Sequence, residues 1–258
     1  MTREAHPAAV ALLTGAVGRV VDPDRLATSL TRCVREAAPD ARDDDDAQDE
    51  FALAAVRAVL PSTRAWLVAH GATDAQAAAS VADVDRKRDR YGIRGTGLSW
   101  FCAVATGRVV AVGRLQFELG VSLPDGTRAW GVHVPETGPL EPDACDRSFA
   151  AAPDVLRRLA PEHTARVWSC RSWTLDPGLP HAIGAQANLA RFADRFTLEP
   201  PGPDDEHEGD ESAAKFVFGA DLATARVATP VGRVQRAVAD RWSGGAHWTE
   251  RTGTAPVA

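Results

Sequence analysis

The feature that most constrains the fold is a change of hydrophobic period near residue 99. Before it, apolar residues recur at three- and four-residue intervals. After it, they alternate. Asp22-Pro23-Asp24 precedes Leu26, Leu30, Cys33 and Val34, a helical stripe behind a helix-start signal. A second helix is predicted around Phe51, Ala54, Ala55, Ala58 and Leu60. Pro61 ends it or opens the next, which carries Trp66, Leu67 and Val68. Residues 40–50 are acidic and hold four consecutive aspartates, so a solvated loop is expected there. Thr73-Asp74-Ala75-Gln76 has the form of a capping box, in which hydroxyl and amide satisfy free helix-start N–H groups. The helix behind it runs toward Asp85.

Residues 99–105 and 109–119 are the first two strand candidates, with Thr106-Gly107 as a tight turn between them. In the second, Ala111, Gly113, Leu115 and Phe117 point one way, and Val110, Val112, Arg114, Gln116 and Glu118 the other. Pro124-Asp125-Gly126 is a turn. A third strand follows over 127–134 and stops at Pro135, which has no N–H to donate. Residues 138–143 form a loop entering a helix, with Pro142 suited to its first turn and Asp143 to its positive dipole end. A strand over 166–175, a short helix over 186–194, strands over 196–199 and 214–219, and a last helix over 231–242 complete the order. Residues 200–212 are expected to be a mobile acidic loop. The expected fold class is α/β (α+β). A helical module over 1–82 precedes, over 83–258, a mixed, mostly antiparallel sheet flanked by helices.

The net charge of −6 excludes a general nucleic-acid binder, which needs a clustered positive surface. No uninterrupted apolar run reaches the roughly 20 residues of a membrane span, and no secretory signal precedes the first helix. Cys33, Cys102, Cys145 and Cys170 form no Cys-x-x-Cys pair, so no zinc or disulfide framework is expected, and reduced thiols fit a cytoplasmic protein. Only Lys87 and Lys215 are lysines among 29 basic residues, the mark of an arginine-rich coding bias.

Several local stretches resemble one family. They are Tyr91-Gly92 with Gly95-Thr96-Gly97-Leu98; Gly113-Arg114-Leu115-Gln116-Phe117-Glu118; and His133-Val134-Pro135-Glu136-Thr137-Gly138-Pro139-Leu140. Cys145 with Ser148, the run Cys170-Arg171-Ser172-Trp173-Thr174-Leu175-Asp176-Pro177, Asn188 with Phe192 and Phe196, and the segment from Gln235 to Trp248 continue the match. Over about residues 83–253 the chain is similar to bacterial acyltransferase-domain proteins with a helical N-terminal domain and a GNAT-like C-terminal domain. That resemblance implies transfer of an acyl group from acyl-CoA to a small amine, with acyl-CoA as co-substrate and no metal. Arg171, Ala187 and Thr137 depart from the family's His, Ser and Gly at their positions.

The resemblance implies that CoA meets the loop containing Thr137, Gly138 and Leu140. The residues there argue against ordinary CoA binding. Pro139 and Pro142 lack N–H donors, and Glu136, Glu141 and Asp143 are anionic. His133, at a strand end, is a candidate base with Glu136 as its orienter; each is otherwise a structural residue. Gln116 would bind an amide or carbonyl, or pair across strands. Asp176 would hold the amine or orient His133, or close a turn. Ser172, Trp173 and Asn188 are candidates for the substrate pocket. Two other readings stand beside the transferase. One is a non-catalytic GNAT-like module that binds a metabolite or protein. The other is a hydrolase or acyl-enzyme using Cys170 with His133, which needs a low-pKa thiol. The sequence leaves the oligomeric state open. The acidic run 204–211 lacks the ligand spacing of a calcium loop, and Arg86, Lys87, Arg88 and Arg90 alternate with Asp85 and Asp89 as on a salt-bridged helix face.

Overall fold

A computed structural model describes residues 4–38 and 44–257. Six helices come first: α1 (Pro7–Thr14), α2 (Pro23–Ala37), α3 (Asp45–Ala69), α4 (Asp74–Val81), α5 (Asp83–Thr96) and α6 (Leu98–Ala105). Their shared core includes the fully buried Leu13, Leu30, Leu53, Val56 and Phe101. Asp22 caps α2 by accepting from the N–H groups of Asp24 and Arg25. Thr73 and Gln76 form the expected reciprocal capping box on α4.

Two expectations in this half are corrected. Asp45 to Glu50 are the first turns of α3, because Asp44 caps it through the Ala47 N–H and the aspartates complement its dipole; residues 40–43 of the expected loop lie outside the described residues. Pro61 neither ends nor starts a helix but sits inside α3. That helix has the length and apolar character of a membrane span, yet Leu53, Val56, Val59 and Leu67 are buried in the protein's own cores.

The sheet has the order β1-β2-β3-β4-β6-β5: β1 (Val109–Val112), β2 (Leu115–Ser122), β3 (Arg128–His133), β4 (Val167–Ser172), β5 (Thr197–Leu198) and β6 (Arg251–Pro256). All neighbours are antiparallel except β3 and β4. The expected strand over 99–105 is α6, since an apolar run of that length fits a buried helix turn as well as a strand. Thr106-Gly107 is consequently the exit of that helix, not a hairpin. The expected strand over 109–119 is two strands joined at Gly113-Arg114, with Val112 opposite Leu115. Gly113 takes φ +63 there, as such a turn requires. The hairpin reverses the facing of Val110 and Val112, which join Leu115 and Phe117 in the core under α7 (Pro142–Leu159).

The remaining elements are α8 (Leu179–Ile183), α9 (Asn188–Ala193), α10 (Asp205–Ala213), a π-helical turn (Ala214–Phe218), α11 (Leu222–Val227) and α12 (Gly232–Ser243). The expected mobile acidic loop is thus largely α10. It is held because Asp210, nearly fully buried, accepts from the Trp248 N–H at 2.9 Å and from Trp242 Nε1 and His247 Nδ1, both at 2.7 Å. Gly209 lets α10 press against chain 248–249: a Cβ there would lie 2.4 Å from the Trp248 carbonyl oxygen. The expected strand over 214–219 is the π-helical turn.

Candidate functional site

The parallel pairing of β3 with β4 spans only Ala129–Gly131 and Val167–Ser169. Both strands run on, β3 to His133 and β4 to Ser172, but they diverge. A cavity of about 990 Å³ opens in the wedge, walled by Val132, His133 and Val134 on one side and Cys170, Arg171 and Ser172 on the other. The facing strand edges hold backbone N–H and C=O groups outside the β3–β4 ladder, which seek partners.

One face of β2 and β3 supplies the central polar group. Gln116 is opposite His133, and Glu118 is opposite Gly131. His133 Nε2 lies 2.9 Å from Glu118 Oε2, and Glu118 Oε1 accepts from Arg108 Nε at 2.9 Å. Arg108 is itself fixed by donating to the carbonyls of Val21 and Gly120. Burial pushes the Glu118 pKa up, but the hydrogen bond and charge of His133, with the Arg108 guanidinium, outweigh it and leave it below the ordinary value. A carboxylate acceptor at Nε2 assigns the proton to that nitrogen, so neutral His133 keeps the lone pair on Nδ1. Gly131 makes room for the pair. A Cβ there would meet Glu118 Cβ at 3.0 Å and His133 Nε2 at 3.3 Å. The edge of Trp100 closes on the imidazole, centroids 4.8 Å apart.

Gln116 also lines the cavity and is 1% exposed, yet neither its Oε1 nor its Nε2 has a hydrogen-bond partner. Glu136 is not joined to His133. Its Oε1 accepts from Lys87 Nζ at 2.8 Å and the Tyr91 hydroxyl at 2.7 Å, while its buried Oε2 has no partner. Burial raises the Glu136 pKa and Lys87, with Tyr91, lowers it further, for a net depression. Burial, then Glu136, push the Tyr91 phenol the other way, upward.

The loop after β3 is closed on itself. Arg114 donates to the carbonyls of Pro139 (2.8 Å), Pro135 (3.0 Å) and Gly138, and reaches Thr137 Oγ1 at 3.5 Å. Gly138 and Leu140 line the cavity, Leu140 also belonging to the core, whereas Thr137 does not line it. Asn188 lines it too and donates Nδ2 to Glu141 at 3.2 Å.

On the β4 side, Ser172 caps the turn behind it by accepting from the Thr174 N–H, and Trp173 packs edge-on against Trp248 while facing the cavity. Asp176 stands apart from the lining. It is 2% exposed and accepts from Gly178 N (2.7 Å), Arg241 (2.8 Å), Thr249 N (2.9 Å) and Thr249 Oγ1 (2.7 Å). A carboxylate so saturated ties α12, through Arg241, and Thr249, two residues ahead of β6, to the turn that follows β4. Arg171 is held by Asp205 and Glu208. Burial, then the nearby Glu250, push the Cys170 thiol up to about 12, which removes the thiolate a nucleophile needs. No cluster of His, Cys, Asp and Glu fit for a metal occurs among the described residues.

Sequence reasoning missed Glu118 as the partner of His133, and Lys87, Trp100, Lys215 and Phe216 as cavity-corner residues, with Tyr91 beside them. Glu118 was visible as a face-mate of Gln116, two residues on. Lys87 and Lys215 were visible as the chain's two lysines, although nothing in sequence showed that they meet.

The GNAT-like C-terminal domain family matches residues 109–255. Among solved structures, an acyltransferase in complex with CoA and 10C-teicoplanin is similar over 100% of this chain and 90% of its own, with TM-score 0.74 and 27% identity. An acyltransferase in complex with decanoyl-CoA and teicoplanin is similar over 99% and 85%, with TM-score 0.73 and 27% identity. An acyltransferase mutant in complex with octanoyl-CoA gives the same TM-score, identity and coverage. Among curated proteins none matches the chain.

Proposed function

The chain belongs to the family with a GNAT-like C-terminal domain, and from that premise we propose that it transfers an acyl group from acyl-CoA to the amine of a small acceptor in the cytoplasm. The observation that carries this reading is the wedge between β3 and β4 with His133 on its wall, backed from outside the cavity by Glu118 and Arg108. The residues fit an acyl-CoA arm. Gln116 brings an unpartnered donor and acceptor, the strand ends bring backbone groups outside the ladder, and Ile183, Val217 and Val234 bring apolar wall for an acyl chain. The volume lies at the upper end of small-molecule sites, roughly 300–1,000 Å³. In this reading residues 83–258 carry the chemistry and residues 1–82 form a helical support.

An amine attacks only when neutral. As the neutral amine attacks the thioester carbonyl carbon, His133 Nδ1 takes a proton from the attacking nitrogen, and Glu118, held by Arg108, stabilises the imidazolium that results. Backbone N–H groups at the end of β3, beyond its ladder with β4, are the donors this reading assigns to the carbonyl oxygen that gains charge. The thioester supplies the activated acyl group, and the proton stored on His133 leaves with the thiolate of CoA.

The test is release of free CoA by the full chain with acetyl-, octanoyl- and decanoyl-CoA against two sets of acceptors, small amines and an amine carried on a glycopeptide. Turnover with a small amine, reduced about 10²–10⁴-fold in His133→Ala, is the expected result. Turnover with the glycopeptide amine alone replaces the small acceptor by a larger one. No CoA release and no thermal stabilisation by any CoA species overturns the reading.

A further inference from the structure

The chain's two lysines, in a sequence that otherwise uses arginine for positive charge, meet at one corner of the cavity. Lys87 Nζ lies 5.2 Å from the Tyr91 ring centroid and 5.5 Å from that of Phe216. Lys215 Nζ lies 5.2 Å and 4.8 Å from the same two rings. Lys87 is neutralised by Glu136 at 2.8 Å. Lys215 is half-buried and has no ion pair or side-chain hydrogen bond among the described residues. Burial, then the like charge of Lys87, disfavour the ammonium, and Glu136 and Glu250 act on it only through space. The rings attract a cation but do not cancel its charge.

Elsewhere on the cavity the more buried positive charge is already used, and Arg233, in the first turn of α12, lines it as an exposed side chain with no ion pair among the described residues. Arg114 is spent on carbonyls of the 135–139 loop, and Arg171 on Asp205 and Glu208. The loop at the start of α7, where anions ordinarily meet helix N–H groups, carries Glu136, Glu141 and Asp143 and lacks N–H groups at Pro139 and Pro142. A ligand oxyanion entering this cavity therefore has two uncompensated cations to meet, the exposed Arg233 and the half-buried Lys215, and of these Lys215 is the one held out of water against the Tyr91 and Phe216 rings.

We propose that Lys215 anchors an oxyanion of the bound ligand, a phosphate of the acyl-CoA donor or a carboxylate of the acceptor. The inference rests on the acyl-transfer reading and names the group that holds the charged end of its substrate. Lys87 seats the pair of rings against which Lys215 is placed, with Glu136 keeping the corner from carrying two uncompensated charges.

The experiment is calorimetric titration of the full chain and of Lys215→Met and Lys215→Arg with decanoyl-CoA and with decanoyl-pantetheine, which lacks the phosphates. Acceptor KM is measured in parallel for an amine bearing a carboxylate and for its methyl ester. Inorganic pyrophosphate is the third titrant and reads the site without acyl transfer. For a donor phosphate, Lys215→Met raises the Kd of decanoyl-CoA and of pyrophosphate about tenfold or more and leaves decanoyl-pantetheine unchanged; Lys215→Arg recovers most of the loss. For an acceptor carboxylate, the variant raises KM at least tenfold for the acid, but not for the ester. Unchanged Kd for decanoyl-CoA and pyrophosphate together with unchanged KM for the acid, in a variant that keeps the wild-type melting temperature, overturns the proposal. Wild-type protein that binds no acyl-CoA defeats the transfer reading itself. In that case loss of pyrophosphate binding in Lys215→Met still upholds the anion site, and its retention or absence in the wild type refutes it.

Discussion

Gln116→Leu should make the free protein more stable and the enzyme worse. Gln116 is 1% exposed, and both ends of its amide lack partners. An unsatisfied buried polar group costs about 1–3 kcal/mol. The cavity beside it reduces that cost, so about 2 kcal/mol is assigned to the two atoms together. At roughly 2–4 °C per kcal/mol for a chain of this size, the substitution raises Tm by about 4–8 °C. Leucine keeps nearly the same volume, so no large cavity term opposes the gain. The cost falls on the ligand. Two neutral hydrogen bonds at about 0.5–1.5 kcal/mol each correspond to roughly 5- to 150-fold weaker acyl-CoA or acceptor binding. Differential scanning calorimetry of the free protein, followed by titration with decanoyl-CoA and acceptor KM measurements, reads both effects. Gln116→Met separates branching from polarity and should behave like leucine. A fall in Tm for both variants would show that the amide is satisfied in the free protein. A higher Tm with donor Kd and acceptor KM unchanged would show that it does not read the ligand. Either result refutes the reasoning.

Three further outcomes follow from the same geometry. Gly131→Ala places a methyl 3.0 Å from Glu118 Cβ and 3.1 Å from Val121 Cγ2, so it should part the His133–Glu118 pair and lower turnover at least about tenfold, while acyl-CoA titration stays close to wild type. Asp176→Asn removes the charge facing Arg241 from a site 2% exposed; because Arg241 is partly solvated, the low end for a broken buried pair applies, about 3 kcal/mol or roughly 6–12 °C in Tm. An unchanged Tm with lost turnover would instead put Asp176 in the reaction. At Asp210 burial pushes the pKa up, but hydrogen bonds from His247, the Trp248 N–H and Trp242 bring it below its ordinary 3.8. A depressed folded-state pKa contributes stability in full above the unfolded value and loses it as pH falls through the folded one. Asp210→Asn should therefore flatten the decline of Tm below about pH 4, and an equally steep decline would count against Asp210 as the acid-sensitive knot.

Much of this architecture was legible because its signals are local. The capping box at Thr73 and Gln76, the turn at Pro124-Asp125-Gly126, Pro142 in the first turn of α7 and the stripe of α12 each need only a few neighbouring residues. The misread segments lack such a signal or conceal it. Residues 98–105 are apolar almost throughout, and period cannot tell a buried helix from a buried strand over eight residues. Gly113 inside an alternating run was the mark of a turn, since only a positive φ there permits Val112 to face Leu115. β6 escaped because Arg251 to Pro256 has no large apolar residue, and Gly253 is small so that Phe196 Cβ can approach to 2.8 Å of where its own Cβ would stand. The site divides along the same line. His133 and Gln116 were visible at a strand end and mid-strand, but the partner of His133 is set by the β2–β3 register, which no spacing in the sequence states.

The acidic, proline-containing segment after β3 shows how a familiar position is put to a different use. Two of its N–H groups are gone at Pro139 and Pro142, and its carboxylates turn to neighbours: Glu136 to Lys87 and Tyr91, Glu141 to Asn188. Arg114 fastens its carbonyls from β2's end of the hairpin. A segment wired in this way is a rigid wall, and repulsion by its acidic groups would oppose a phosphate placed against it. The cavity nevertheless retains a half-buried ammonium with no carboxylate partner, at the corner which Glu136 itself helps to build. Burial of an unpaired cation is costly unless an anion arrives. The acidic loop and the unpaired lysine are thus two sides of one arrangement. In the proposed arrangement Lys215, not the backbone N–H groups at the start of α7, receives the ligand's negative charge, and Lys215→Met is the substitution that separates the two.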